Sequence, residues 1–354
     1  MMLAICFLIS TPFTTVSFGE GNRDYIIKAA PNVTDNPLQA EKLKGYPSNW
    51  GKWGPDDEIG TLNYLTPEVV AKASQAIKSG KVFTLQRVWK GGANDPIFPG
   101  RTGMVRFNAA DFGTYLDGKY PSKWLSDMWY GDDWFGAWTH GTSHIDALGH
   151  GTYGNQIYNG YPAETSFTKY TKASVLPLAE KGIVARGVLL DVARFKGKGT
   201  GEWLAPGTQI TFKDLMDTAK AQGVTIQPND WLLIRTGWLN TFDKDPKFHA
   251  ANIINEPGIT AEKELVEWWA KLPIIGWSSD TIACEQTTSS VTGTLLPLHG
   301  ALLRNLGSTM NEIVTLEKLA EDCAKDGQYT GLFIASPLKI DGATGAPTNP
   351  VFIK

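Results

Sequence analysis

His140, His144, Asp146 and His150 fall within the segment WTHGTSHIDALGHG at 138–151, which gathers three of the chain's five histidines beside a carboxylate. Imidazole nitrogen and carboxylate oxygen together suit borderline or hard divalent ions such as Zn2+ or Mn2+. A single histidine is most often a hydrogen-bonded loop or core residue. Three with an aspartate, in a histidine-poor chain, favour a metal site instead. The segment lacks the HExxH pattern of helix-borne metalloproteases. The chain also lacks a G-x-S-x-G nucleophile elbow, so a Ser-His-Asp hydrolase competes poorly.

The offsets of these residues are 0, +4, +6 and +10. On a helix His140 and His144 would share a face, while Asp146 and His150 would point well round the cylinder. On a strand all four would share a face, but at about 3.3 Å per residue the outer histidines would stand ~33 Å apart. Only a bent segment converges them, and Gly141, Gly149 and Gly151 are residues that permit sharp bends. Further ligands must come from elsewhere. His299 in LLPLHGALLRNLG is the long-range candidate, with Glu312 after it and Glu285 as a weaker supporting or substrate-facing carboxylate. Taken alone, His299 reads equally as a polar residue at a helix start. His249, in the polar stretch PKFHAAN, is expected to be exposed and outside the site.

The aromatic run WLSDMWYGDDWFGAW at 124–138 leads straight into the histidine segment. Trp129, Trp134, Phe135 and Trp138 are candidate walls of a pocket for a flat or cyclic substrate, with ordinary core packing as the competing reading.

The rest of the chain must position these groups. With 354 residues, 42% apolar and 19% charged, it is long enough for a large core and globular in composition. A net charge of −3 gives no electrostatic reason to expect nucleic acid or an anionic membrane as partner. LAICFLI near the N-terminus, followed by small residues as far as Gly19, resembles a signal peptide over 1–19, although no positive charge precedes Arg23. A periplasmic or secreted location is expected. The apolar run is too short to span a bilayer. An irregular arm covers 20–48, and one domain occupies 49–354. Cys284 and Cys323 permit one disulfide but form no framework.

In the second half, GIVARGVLLDVARF, DWLLIRTGWL, PIIGWSSD and GLFIASPLKI have strand length and composition. KVFTLQRVW alternates as a strand does. Helical patterns lie between, with Thr66, Thr211, Thr260 and Thr315 as expected N-caps and Gly80 as the stop of the first helix. This alternation predicts an α/β fold: a single domain with a central mixed β-structure flanked by helices.

HGTSHIDALGH resembles the HxGTHxDxPxH signature of the cyclase family of metal-dependent hydrolases, to which bacterial kynurenine formamidase and isatin hydrolase belong. NWGKWGPDDEIGTLNYLTPE, the YNG at 158–160 and the C-terminal SPLKIDGATGAPTNPVFI are similar to its longer branch. Leu148 replaces the family proline, and Ser143 directly precedes His144. The resemblance implies a swivelling β/β/α fold, commonly assembled as a homodimer or larger. It implies one or two ions, zinc or manganese, with His140, His144 and Asp146 on the first and Asp146 able to bridge. His299 and Glu312 would serve the second ion, and His150 would be the catalytic acid and base. The expected activity is hydrolysis of a cyclic amide, lactone or aryl formamide by metal-activated water. A histidine with intrinsic pKa near 6.5 is suited to move the proton. The expected ligand is a small, cyclic or aromatic molecule. The competing possibility is a catalytically inactive, secreted metal-binding module of the same fold. A carbohydrate-binding protein would use the tryptophans but leave the histidine spacing unexplained.

Overall fold

A computed structural model of the chain describes residues 43–92, 95–118, 128–197 and 202–354. The expected signal segment, most of the N-terminal arm and Trp124 lie outside the described residues. The four apolar runs become strands. They are β5 (Val184–Asp191), β7 (Asp230–Arg235), β9 (Gly276–Ser279) and β11 (Thr330–Ile334). β5, β7 and β9 run parallel to one another and continue into parallel β10 (Thr309–Glu312). Strands covered on both faces have no reason to alternate, which is why these segments read as unbroken apolar runs.

Antiparallel strands extend the sheet at both sides. Beyond β5 stand β11, β13 (Val351–Ile353) and β1 (Val82–Thr84). Beyond β10 stand β4 (His144–Asp146) and β12 (Gly345–Pro347). The result is the expected mixed sheet, nine strands wide. Its core includes the fully buried Trp231, Trp269 and Trp277. Trp231 stacks on Phe333 at 5.0 Å and donates to Ser278 Oγ at 2.8 Å, so its polar edge is satisfied inside.

Two of the four threonines cap as expected. Thr66 accepts from the Val69 N–H ahead of helix Pro67–Ser74, which ends short of Gly80, and Thr211 forms a capping box with Asp214. The other two do not. The Thr260 N–H and hydroxyl both donate to Ile210 O, extending the pairing of β6 (Gln209–Ile210) with β8 (Gly258–Ile259), so helix Lys263–Lys271 begins later. Thr315 spends its hydroxyl on Leu85 O, and its helix starts at Glu317. In both places a tertiary hydrogen bond has taken the group that local capping would use.

Residues 43–48 belong to the folded body rather than to a free arm. Leu43 joins the core, and Tyr46 donates to Ala261 O at 2.6 Å. Cys284 and Cys323 are buried free thiols, so the permitted disulfide is not formed. Among the described residues no helix is long and apolar enough to cross a membrane.

Gly276 lies where β9 meets its neighbours: a Cβ there would stand 2.4 Å from Thr309 O and 2.5 Å from the Trp231 ring. Gly276→Ala is expected to lower stability by about 1–3 kcal/mol through overpacking. Urea unfolding measures this, and an unchanged midpoint would show that the sheet yields there.

Candidate metal centre

β4 is only three residues long, and it places His144 and Asp146 on one face because alternate residues of a strand share a side. Antiparallel pairing sets Glu312 of β10 directly opposite His144. Turns carry the chain in from His140 and out to His150, so those two rings stack at 4.2 Å instead of standing at opposite ends of a strand. The bend is real, but its glycines act by another route. Gly141, Gly149 and Gly151 do not have positive φ; they permit close approach. A Cβ on Gly151 would lie 2.9 Å from His299 O, and one on Gly149 would lie 2.8 Å from the Tyr170 ring. Gly345 on β12 does the same for His140, whose ring occupies the space of the missing Cβ.

All six expected residues converge. His140 Nδ1 is 3.0 Å from Asp146 Oδ1, and His144 Nε2 is 3.2 Å from the same oxygen and 3.1 Å from Glu312 Oε2. His299 Nε2 is 3.6 Å from both Asp146 Oδ2 and Glu312 Oε1, and His150 Nε2 is 3.9 Å from Asp146 Oδ2. The close atoms are not aligned on each other. His140 Nδ1, His144 Nε2, both Asp146 oxygens and Glu312 Oε1 are buried without a hydrogen-bond partner. Buried polar atoms are rarely left so, and five in one cluster, facing inward, are what a cation's ligands look like. Nitrogen and oxygen at about 2.1 Å from one ion sit about 3 Å apart when they subtend a right angle. The donor set therefore fits a divalent ion. Two trios have all ligand atoms within 4.8 Å of one another: His140, Asp146 and His150, and His144, Asp146 and Glu312. Asp146 is common to both. This grouping departs from the expected one by setting His150 beside His140 and by pairing His144 with Glu312.

Supporting hydrogen bonds fix which nitrogen faces the cluster. His144 Nδ1 lies against Thr142 O, and a carbonyl can only accept, so in the neutral ring Nε2 is the bare nitrogen. Glu285 accepts from His299 Nδ1 at 2.7 Å and from the backbone N–H groups of Leu298 and His299. It is therefore a holding carboxylate for His299, not a substrate-facing one. His140 Nε2 meets Thr344 Oγ1 at 2.8 Å. Thr309 and Asn311 bind the carbonyls of Asp146 and His144, both at 2.7 Å.

His299 opens a π-helical segment, His299–Leu306, whose last carbonyls are clasped by the 49–61 loop. Asn49 N–H donates to Asn305 O, Asn49 Nδ2 to Leu306 O, Trp50 Nε1 to Arg304 O and Thr61 N–H to Gly307 O, all at 2.8–2.9 Å. Backbone strain gathers at the same place. Ile313, next to Glu312, has φ 54°, and Cys284, next to Glu285, has φ 53°. A β-branched residue in this region is held there by its surroundings. Ser143 is part of that hold, donating to Ile313 O at 2.5 Å and accepting from the Arg87 N–H at 3.0 Å.

Burial pushes the His140 imidazole down to about 4 and His150 to about 3, with Asp146 opposing and the Arg101 charge adding to the fall. Burial also works against charge on His144 and His299, but the carboxylates of Asp146 and Glu312 close to His144, and of Asp146, Glu285 and Glu312 close to His299, outweigh it. They raise these rings to about 9 and about 10. Burial and the charge of Asp146 push Glu312 up.

Of the other expected residues, Trp129, Trp134, Phe135 and Trp138 are all exposed, so none is core. Trp134 and Phe135 lie on β3 (Asp132–Gly136), which forms a two-stranded ribbon with β2 (Val105–Ala110). Trp134 stacks on Phe107, Phe135 meets Trp89 edge-on, and Trp138 donates to Thr102 Oγ1. His249 is buried, against expectation, with Nδ1 2.7 Å from Thr241 Oγ1 and its ring between Trp238 and Phe242. A polar-looking helix had hidden one inward face. Thr344, Ser143 and Arg101 are the contributors that spacing could not reveal, since their partners are distant in sequence. A surface cleft bounded by Lys72, Arg186 and Asp230 lies elsewhere. Chemistry rather than concavity locates this centre.

Raised histidine pKa values give the metal-free protein a testable pH profile. Relative to an unfolded value near 6.5, charged His144 and His299 stabilise fully below that pH and lose the contribution as pH rises through about 9 and about 10. Chelator-stripped protein is expected to lose Tm between neutral and strongly alkaline pH. Saturating Mn2+ or Zn2+ should raise Tm at pH 8, because the ion binds the native state. Equal Tm values with and without metal across the range would refute the site.

Comparison with known proteins identifies the family. The Cyclase family model matches residues 84–286, more than half of the chain. An isatin hydrolase from Roseibium aggregatum is 26% identical over 136 residues, or 38% of this chain and 48% of that one, so the match spans about half the length of this curated relative. A crystal structure described as a novel cyclase is 37% identical, with a TM-score of 0.77 over 87% of this chain and 99% of the other. Isatin hydrolase A from Ralstonia solanacearum has the same fold, with a TM-score of 0.55 at 20% identity over 81% of this chain and 97% of the other. A family match that takes in the whole histidine segment, joined to that near-complete structural alignment, establishes that the chain belongs to the Cyclase family.

Proposed function

We propose that this protein is a metal-dependent hydrolase that opens a cyclic amide or lactone, or cleaves an aryl formamide. The carrying observation is His150. Its side chain keeps 27% of its surface open while His140, His144, Asp146, His299 and Glu312 are all buried. A module that only stored an ion would have no use for an accessible, neutral imidazole beside it. The resemblance of the chain to an isatin hydrolase supports the same class.

His140, His144, Asp146, His299 and Glu312 would hold one or two ions, zinc or manganese. A bound ion would supply Lewis acidity and bring the pKa of water towards neutrality. His150, held neutral, would accept a proton from the attacking water and return it to the leaving nitrogen or oxygen. One C–O bond forms, the C–N or ester C–O bond breaks, and a carboxylate is released. Phe135, near the end of β3, and Trp138, two residues before His140, are the aromatics we assign to a flat substrate. Export to the periplasm and assembly with a second copy belong to the same proposal. We place the subunit contact on the ribbon, since both strands are exposed along nearly their whole length and two strands alone are marginally stable.

His150→Ala is expected to cut turnover of isatin, a lactone or N-formylkynurenine by about 10²–10⁴-fold while bound metal is unchanged. Loss of metal together with activity would make His150 a ligand, as its place in one trio allows. Retained activity would overturn its catalytic role. Trp134→Asp should lower the mass seen by light scattering if the ribbon joins subunits.

A further inference from the structure

We infer that Arg101 is an anion-binding residue at the entrance to the metal centre, taking a carboxylate of the ligand. The inference rests on the hydrolase reading only for where that carboxylate comes from.

The half-buried Arg101 follows a turn closed by its own N–H on Phe98 O, and its Nη1 donates to the carbonyl of His140 at 3.1 Å. One of five N–H donors is thereby used, and the guanidinium is anchored beside the stacked rings of His140 and His150. Its charge is felt at both of those rings, after the larger effect of burial. Among the described residues it has no counter-ion. Arg87 pairs with Asp243, Arg106 with Asp133, Arg186 with Asp230, Arg194 with Asp191, and Arg235 with Asp191 and Glu317. Among the described residues, Arg101 and Arg304 are the arginines with no carboxylate in reach. Arg304 is accounted for: it binds the carbonyls of Gln156 and Tyr153, reaches Asn305 and covers the Trp50 ring. Arg101 has no such set of partners. Its guanidinium lies 5.4 Å from the centre of the Phe98 ring. Phe98 in turn packs on a small apolar cluster that includes Ile282, Leu296 and Ile313, the last adjoining Glu312. An arginine fork laid on an aromatic face, next to an apolar wall and a metal centre, suits a flat molecule that carries a carboxylate, which it can grip by paired, charge-assisted hydrogen bonds.

Two sources share that chemistry. The carboxylate is either present on the substrate or created when the ring opens. Metal-loaded wild type, Arg101→Lys and Arg101→Met, with metal content measured in each, should be titrated calorimetrically with benzoate and with benzamide, its neutral counterpart. Arg101→Met is expected to weaken benzoate by about tenfold or more with benzamide unchanged, and Arg101→Lys to weaken it less. Equal benzoate affinity in wild type and Arg101→Met, at equal metal content, overturns the assignment. The source is then read from kinetics. A raised KM for N-formylkynurenine but not for isatin in Arg101→Met identifies a substrate carboxylate; weakened inhibition by the ring-opened isatin product identifies a product carboxylate. If nothing is turned over but the benzoate preference depends on Arg101, the anion site stands and the hydrolase reading falls.

Discussion

Asp146 and Glu312 are two carboxylates on adjacent strands of a buried sheet, and both approach the same nitrogen of His144. Nearly everything around them answers to that repulsion. Two negative charges taken out of water at this spacing need positive charge between or beside them. Without an ion, His144 and His299 are driven to hold protons. A bound ion would supply that positive charge and give the orphaned nitrogens and oxygens of the cluster a partner.

That arrangement is demanding in geometry, and the fold meets the demand by over-determining the ligands. His299 is held at its ring by Glu285 and at the far end of its π-helical segment by the 49–61 clasp. Glu312 leads into a strained Ile313 whose N–H is bound by Thr281 O and whose carbonyl is bound by Ser143. Strain of this sort persists only where neighbouring contacts outweigh it. The β4–β10–β12 side of the sheet, with the close approach that Gly345 permits to His140, serves position.

Strands β5, β7, β9 and β11 were legible because complete burial leaves a run of apolar residues in any sequence. So was the clustering of the candidate ligands, because few other reasons collect three histidines and an aspartate in one short segment. The helix starts at Thr260 and Thr315 were misread, since each group is taken by a bond to a residue far away in the chain. His249 was misread for a related reason. Hydrophilic neighbours describe most of a helix's surface and say nothing of the single face that meets Trp238.

By itself the sequence determined the chemistry on offer: imidazoles and carboxylates suited to a divalent ion, a mixed α/β core and a family signature. Only the tertiary structure decided the partners. It paired His144 with Glu312, set His150 beside His140, gave Glu285 to His299 and Thr344 to His140, and left Arg101 beside the centre with no carboxylate partner among the described residues. Residue type is a local property carried along the chain. Coordination, tautomer and strain are set by atoms a few ångströms apart in space and up to some two hundred residues apart in sequence, which no local spacing records.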